Sequence, residues 1–391
     1  MIAPTAEKKH ALLDHRPQLD GARFFSVFIV MIYHHFAMLQ GQHRFFDMTT
    51  FIVFFFVLSG YLITKILFVA KGLGEKEGIS KMNVAFDFLF RRTLRIFPAY
   101  YVYLFLMMLL PVGGLYLRNH AGMFFGYLSN FQIYSDQIWE TFATPHLWTL
   151  AVEEQFYLMW PWLILFLPNK FLPKIFSGLI VAGILFRFLY ASFVPGAVTE
   201  NVPVTVLTPA CLDGFGYGAL LAYVHIFDKM RNPWLRKLFY AIIPVYILLS
   251  LSGTNIYSMT FGRMCVGVFA MFVIEGTVNG YKGRFGKFLE SRQIVYLGKI
   301  SYGLYLYHLF ATIVLMKIIL KISETGKLFS IDLKPVTDIL AQPLINFVLY
   351  FGVTVGLAAA SWHLIERPAN RLRRRIKNAV IHKEVLVRNR S

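Results

Sequence analysis

Apolar runs of about twenty residues recur along this chain from one end to the other. A helix of that length, rising ~1.5 Å per residue, matches the hydrocarbon thickness of a bilayer. The runs leave little room for a soluble alternative. Hydrophobic residues make up 57% of the chain, charged ones only 15%, and the mean hydropathy is +0.56. No soluble domain of 391 residues needs that much apolar material. The fold class that follows is all-α, a polytopic membrane protein with about ten transmembrane helices. The predicted spans are 22–40, 48–69, 96–117, 149–167, 175–194, 208–227, 238–253, 258–278, 297–319 and 341–363. The seventh is short and interrupted by Pro244, which a helix interior tolerates poorly.

The cations support this division. With the N-terminus inside, the internal segments hold 29 Lys and Arg and the external loops hold 5. That asymmetry is what orientation in a membrane requires. Both termini are then expected in the cytoplasm. The formal charge of +18 is a property of loops, so nucleic acid is not an expected partner, whereas membrane lipids are. We divide the chain into a polar arm (1–21), a transmembrane domain (22–368) and a basic cytoplasmic tail (369–391). In the tail, Arg371, Arg373, Arg374, Arg375 and Lys377 form a collar for the inner leaflet. The N-terminus lacks the features of a cleaved signal peptide. The longest external loop, 118–148, contains Tyr127, Asn130, Trp139 and His146 and is long enough for a re-entrant or lid segment. Cys211 and Cys265 fall in spans, and no Cys/His cluster has zinc spacing, so neither a disulfide nor a metal is expected. Gly214-x-Gly216-x-Gly218 and Gly352-x-x-x-Gly356 read as sites of close helix packing.

Several polar residues interrupt the spans. Arg23 and His34 lie eleven residues apart, about 16 Å of helical rise and within about 20° of one face. A histidine there suits a catalytic base. Spacing alone equally allows Arg23 to sit at the headgroups and His34 to bond a neighbouring helix. Arg92 and Arg95, at i and i+3, form either a phosphate clamp or an ordinary positive-inside flank. Glu153 and Glu154 open an otherwise apolar span, so one of them should face a polar cavity or a cation. Trp148 and Tyr157 beside them, taken alone, fit belt aromatics. Ser59-Gly60 lacks the setting of a nucleophile elbow and reads as close packing near the site. The tyrosine-rich face Ser301–His308 would line a cavity with His308, or pack with satisfied hydroxyls. Arg187, Arg263 and Glu275 fall in or near spans without a motif.

Taken in order, these pieces resemble the acyltransferase-3 family of integral membrane acyltransferases. The resemblance runs from Leu19 to Pro368. It is carried by Leu19-Asp20-Gly21 followed by Arg23 and His34, by LSGYLI, RRTLRIFPAY, HLWTLAVEEQFYLMWP and ISYGLYLYH, and by a final ERP. It implies transfer of an acyl group, usually acetyl, from cytoplasmic acyl-CoA to a hydroxyl of an envelope glycan or lipid-linked acceptor. Lipopolysaccharide is one such acceptor, and the bacterial inner membrane the implied location. His34 then looks like the catalytic histidine, with Arg23 its partner, and Glu153 and Glu154 orient the imidazole or line the acceptor path. Arg92 and Arg95, with Lys81 or Arg91 nearby, look like the family's donor-side pair. Trp148, Tyr157 and His308 are the side chains we expect along the acceptor route. Thr149 stands where many members have Ser, and the doubled histidine at 34 and 35 leaves two imidazoles to choose between. No hydrolase-like domain of the kind larger members carry is in this sequence, so the reaction is expected to finish in the membrane part or pass to another protein. A transporter or flippase for a glycan is the rival reading, because intramembrane Arg, His and Glu also mark substrate pathways.

Overall fold

The computed structural model describes residues 16–36, 48–110, 114–138, 144–197, 204–227, 233–253, 256–328 and 333–372. Most of the N-terminal arm, Trp139, and Arg373, Arg374, Arg375 and Lys377 of the basic tail lie outside them. Every regular element among the described residues is helical. In chain order these are α1 (Pro17–His35), α2 (Met48–Glu77), α3 (Lys81–Met108), the short α4 (Leu115–Asn119), α5 (Ala121–Phe125) and α6 (Ser129–Asp136), then α7 (Leu147–Phe166), α8 (Leu172–Phe193), α9 (Leu212–Phe227), α10 (Pro233–Leu251), α11 (Arg263–Asn279), α12 (Gly283–Leu289), α13 (Arg292–Lys299), α14 (Ser301–Leu328), α15 (Lys334–Ala341) and α16 (Pro343–Ser361). Each of the ten predicted spans overlaps one of the longer helices.

Among the described residues, six helical stretches are long and apolar enough to cross a membrane by length and composition. They lie in α2, α8, α9 with its leading turn, α11, α14 and α16. The chain is thus an all-α, multi-pass integral membrane protein. Of the remaining predicted spans, α1, α3 and α7 carry Asp20 and Arg23, Arg91, Arg92 and Arg95, and Glu153 and Glu154. The same side chains that lower their hydropathy build the site described below.

Local chemistry sets the helix ends. Gly78 leaves α2 at φ +69°, and the Ile79 N–H bonds back to the Gly74 carbonyl at 2.9 Å. This is the hydrogen bond of a Schellman stop, and glycine adopts that backbone without a Cβ clash. Ser80 then caps α3, its hydroxyl accepting from the Asn83 N–H at 3.1 Å. At the C-terminus of α7, Lys71 donates to the Ile164 and Leu167 carbonyls and to Asn169 Oδ1, at 2.8 to 2.9 Å. A cation suits the negative end of a helix.

Three predicted features came out differently. Helix α3 runs over Lys81–Met108, starting fifteen and ending nine residues before the predicted span 96–117, because Ser80 caps it there. Helix α10 runs unbroken through Pro244, so the proline does not divide that span. Helix α1 begins at Pro17 and ends at His35, five residues earlier at each end than predicted. Proline at the first helical position explains the early start, since its missing N–H is unneeded there. His34 therefore lies in the last turn, about 25 Å of rise from the helix start, instead of the 18 Å expected from span 22–40.

Helix α2 is the centre of the bundle and touches α1, α3, α7, α9 and α11. Its closest neighbour is α9, and glycines make that approach possible. Gly218 lies against the backbone of Val57 and Tyr61, Gly60 against the backbone of Phe215, and Gly214 against the Phe56 side chain. Any side chain at Gly218 or Gly60 would push the two helices apart. The second small-residue pattern behaves otherwise. Gly352 and Gly356 have nothing within 4 Å of where a Cβ would stand and face outward from α16, so they are not packing sites.

Arg187 of α8 is fully buried and pairs with Asp213 of α9 at 2.7 Å. It also donates to the Ala210 carbonyl. Removing one member leaves a charge stranded in a low-dielectric interior, at a cost of about 3–5 kcal/mol. We expect Arg187→Met to lower the unfolding temperature in detergent by many degrees. Adding Asp213→Asn should restore most of the loss; equal instability of the single and double variants would show that the pair is not what holds α8 to α9.

Candidate active site

Helices α1, α2, α3, α7 and α14 enclose a cavity of about 310 Å³. α1 contributes Arg23 and Val27, α3 contributes Arg92, Arg95 and Ile96, and α7 contributes Thr149, Glu153 and Tyr157. Ser59 and several apolar residues of α2 line one wall, and Ser301, Tyr302 and Tyr305 of α14 another. Three guanidinium groups thus face the same space as one carboxylate. Such a surplus of cations within apolar walls calls for an anionic ligand.

The charges are arranged in layers. Arg23 pairs with Asp20 of its own helix at 3.1 Å. The Arg92 guanidinium lies over the Tyr157 ring at 5.3 Å and the Phe88 ring at 5.7 Å, which fixes its plane. Arg95, one helical turn on, has no ion-pair partner among the described residues. Arg91 is engaged with Asp87 at 2.9 Å, and Lys81 lies over the Phe166 ring. On the α7 side, the Ser59 hydroxyl donates to Glu153 Oε1 at 2.6 Å and lies 3.2 Å from the Tyr157 hydroxyl. Ser59 thus lines the site beside a carboxylate, while its neighbour Gly60 supplies the close packing. The Thr149 and Tyr305 hydroxyls are 2.7 Å apart, and both reach the His146 carbonyl. The Tyr302 hydroxyl donates to the Ile96 carbonyl at 3.0 Å. At the far end of the resemblance, Ser361 donates to Glu366 at 3.1 Å.

His34 lies beyond the cavity on the stripe of α1 that carries Arg23 and Val27. Helix α1 is continuous between them, so the structure does not bring Arg23 and His34 into contact. His34 meets His308 of α14 instead: His308 Nε2 is 3.2 Å from His34 Nδ1, and the ring centroids are 4.9 Å apart. The second imidazole of the pair points elsewhere. His35 stacks on Tyr350 of α16 at 4.8 Å. Two expected site residues sit behind the cavity wall. Trp148 is buried with its ring edge-on to Phe56, and one carboxylate oxygen of Glu154 is buried without a hydrogen-bond partner. His308 is also enclosed and not in the lining. Reasoning from the sequence missed Ser59 as a polar member of the site and did not weigh His146. Their partners are 94 and 160 residues away in the chain, so no local spacing signals them.

The order of motifs agrees with the comparison to known proteins. The family model for acyltransferase-3, described as an acyltransferase domain, matches residues 16–363. The chain belongs to the acyltransferase-3 family. Among named members, O-acetyltransferase OatA of Staphylococcus aureus is 29% identical over 317 residues, covering 75% of this chain and 50% of the relative. Peptidoglycan O-acetyltransferase OatA of Listeria monocytogenes is 29% identical over 360 residues, covering 85% of this chain and 55% of the relative. This acyltransferase-3 member thus spans about half the length of the curated relatives it matches. No solved structure matches it.

Proposed function

We propose that this protein moves an acetyl group from acyl-CoA, most simply acetyl-CoA, to a hydroxyl of an envelope glycan. The observation that carries this reading is the cavity in which Arg23, Arg92 and Arg95 converge, one end of a stripe whose other end is His34. An anionic, phosphate-bearing donor suits the arginines. Arg92 and Arg95 hold its phosphates, and the acyl arm runs along the Val27 face of α1 toward His34. Both relatives named above are called O-acetyltransferases, one of them for peptidoglycan; this favours a glycan hydroxyl over a protein or nucleic-acid acceptor.

The chemistry assigned to His34 is that of a general base. Its Nε2 takes the proton of the acceptor hydroxyl while that oxygen attacks the thioester carbonyl. The carbon–sulfur bond then breaks, and the departing sulfur recovers the proton from His34. The products are the acetyl ester and free CoA thiol. We favour direct transfer over an acyl-imidazole, which demands strict exclusion of water. Glu153, bonded to Ser59 and close to Tyr157, lines the route of the acceptor. The test is acceptor-dependent thiol release by the purified protein, given acetyl-CoA and soluble peptidoglycan fragments. An acetyl mass shift in envelope glycans of cells making the protein is expected alongside. No thiol release and no mass shift would leave the transporter reading in its place.

A further inference from the structure

We infer that His308 is a positioning residue for His34, acting as a neutral hydrogen-bond acceptor that selects the working tautomer of the imidazole. The inference rests on the reading of His34 as the base. The hydrogen bonds fix where the protons sit. His308 Nδ1 is 2.6 Å from the Tyr305 carbonyl, and a carbonyl only accepts, so Nδ1 carries the proton. His308 Nε2 then presents a lone pair to His34. His34 Nδ1 is 3.0 Å from the Val30 carbonyl, so it too carries a proton, shared between that carbonyl and His308 Nε2. His34 is thereby left with its lone pair on Nε2. That nitrogen has no hydrogen-bond partner among the described residues and is not enclosed.

His308 is itself held rigidly. It is fully buried, with the His146 ring 4.9 Å away at 73° and the Tyr305 ring 5.6 Å away. His146 is anchored through Nε2 to the Leu306 carbonyl at 3.1 Å. These rings do not converge on a point. One nitrogen of His146 and one of His308 are occupied by backbone carbonyls, His146 Nδ1 is buried without a partner, and no group of three or more metal-ligating side chains stands together among the described residues. What the cluster can do is support a proton transfer. When His34 Nε2 takes the hydroxyl proton, the ring becomes an imidazolium. Its Nδ1–H bond to His308 Nε2 then becomes charge-assisted and strengthens. An orienting partner on the far nitrogen of a base is the logic of a catalytic triad, here with a neutral acceptor in place of a carboxylate. Tyr305 joins the two regions, since it belongs to the cavity wall while its carbonyl fixes His308.

Two replacements of nearly equal shape separate this role from packing. His308→Gln keeps an acceptor oxygen where Nε2 stands, and His308→Met keeps the volume without it. We expect the Met variant to lose about tenfold to a hundredfold in kcat, with KM for acetyl-CoA within about twofold of the parent. The Gln variant should recover most of that rate. In protein labelled with nitrogen-15 histidine, the His34 Nδ1 proton resonance should move in the Met variant and return toward its original position in the Gln variant. Equal activity of the two variants, whether both active or both dead, or an Nδ1 resonance indifferent to both, would overturn the inference. Full turnover by a His34→Ala variant would overturn the parent reading instead, and the resonance would still decide whether His308 and His34 are coupled.

Discussion

Replacing His34 with alanine is expected to lower acetyl-CoA-dependent thiol release by at least about a hundredfold while the protein remains folded. General base catalysis contributes about 10²–10⁴ to rate, and the other imidazole of α1, His35, points away onto Tyr350. The fold should survive because His34 is only half-buried and one of its two partners is a carbonyl of its own helix. Unfolding temperature in detergent is the control for that statement. His35→Ala is the control for position. It removes a ring that stacks on Tyr350 and should leave kcat near the parent value. Normal turnover by His34→Ala, or equal losses at 34 and 35, would take His34 out of the mechanism.

The second large effect is expected at Arg92 and Arg95. Changing both to alanine should weaken acetyl-CoA binding by about tenfold to a hundredfold for each phosphate hydrogen bond removed, since hydrogen bonds to charged groups contribute about 1.5–3 kcal/mol. The rate at saturating donor should fall much less. Isothermal titration with CoA measures the binding, and thiol release measures the chemistry. The two arginines should differ. Arg92 lies over the Tyr157 and Phe88 rings, so its loss also disturbs packing, whereas Arg95 has no such partner and its loss should appear in affinity alone. Lysine at 92 should fail to substitute, because an ammonium is a point charge and cannot fill the planar slot. An unchanged dissociation constant in the double variant would rule out the phosphate clamp.

Much of the architecture was legible from hydropathy, because the bilayer restricts a spanning chain to helices of one length. Arg23 and Glu153 stand out because charges are costly in lipid, Arg92 and Arg95 for their i, i+3 spacing and Tyr157 for its place in the motif, and all five line one cavity. What stayed hidden was pairing between helices. The serine of Ser59-Gly60 looked like packing, since its partner Glu153 belongs to another span. His308 looked like a cavity residue, since a tyrosine-rich face does not show which side meets a neighbour. The Gly214 pattern and the Gly352 pattern are alike in sequence, yet one meets helix α2 and the other meets nothing. Small residues permit contact and do not name a partner. The start of α1 was misjudged for a simpler reason: hydropathy detects where lipid begins, whereas Pro17 begins the helix before that point.

The unbroken course of α1 has one more consequence. Arg23 and His34 are eleven residues apart on a rod that cannot shorten, about 16 Å. In the proposed reaction, a donor held by the arginine cluster at one end must carry its acyl carbon to His34 at the other, so the helix would act as a ruler for donor length. Coenzyme A has a flexible arm between its phosphates and its sulfur and can span that gap. Acetyl phosphate, with its charge one atom from the acyl carbon, cannot touch both marks at once.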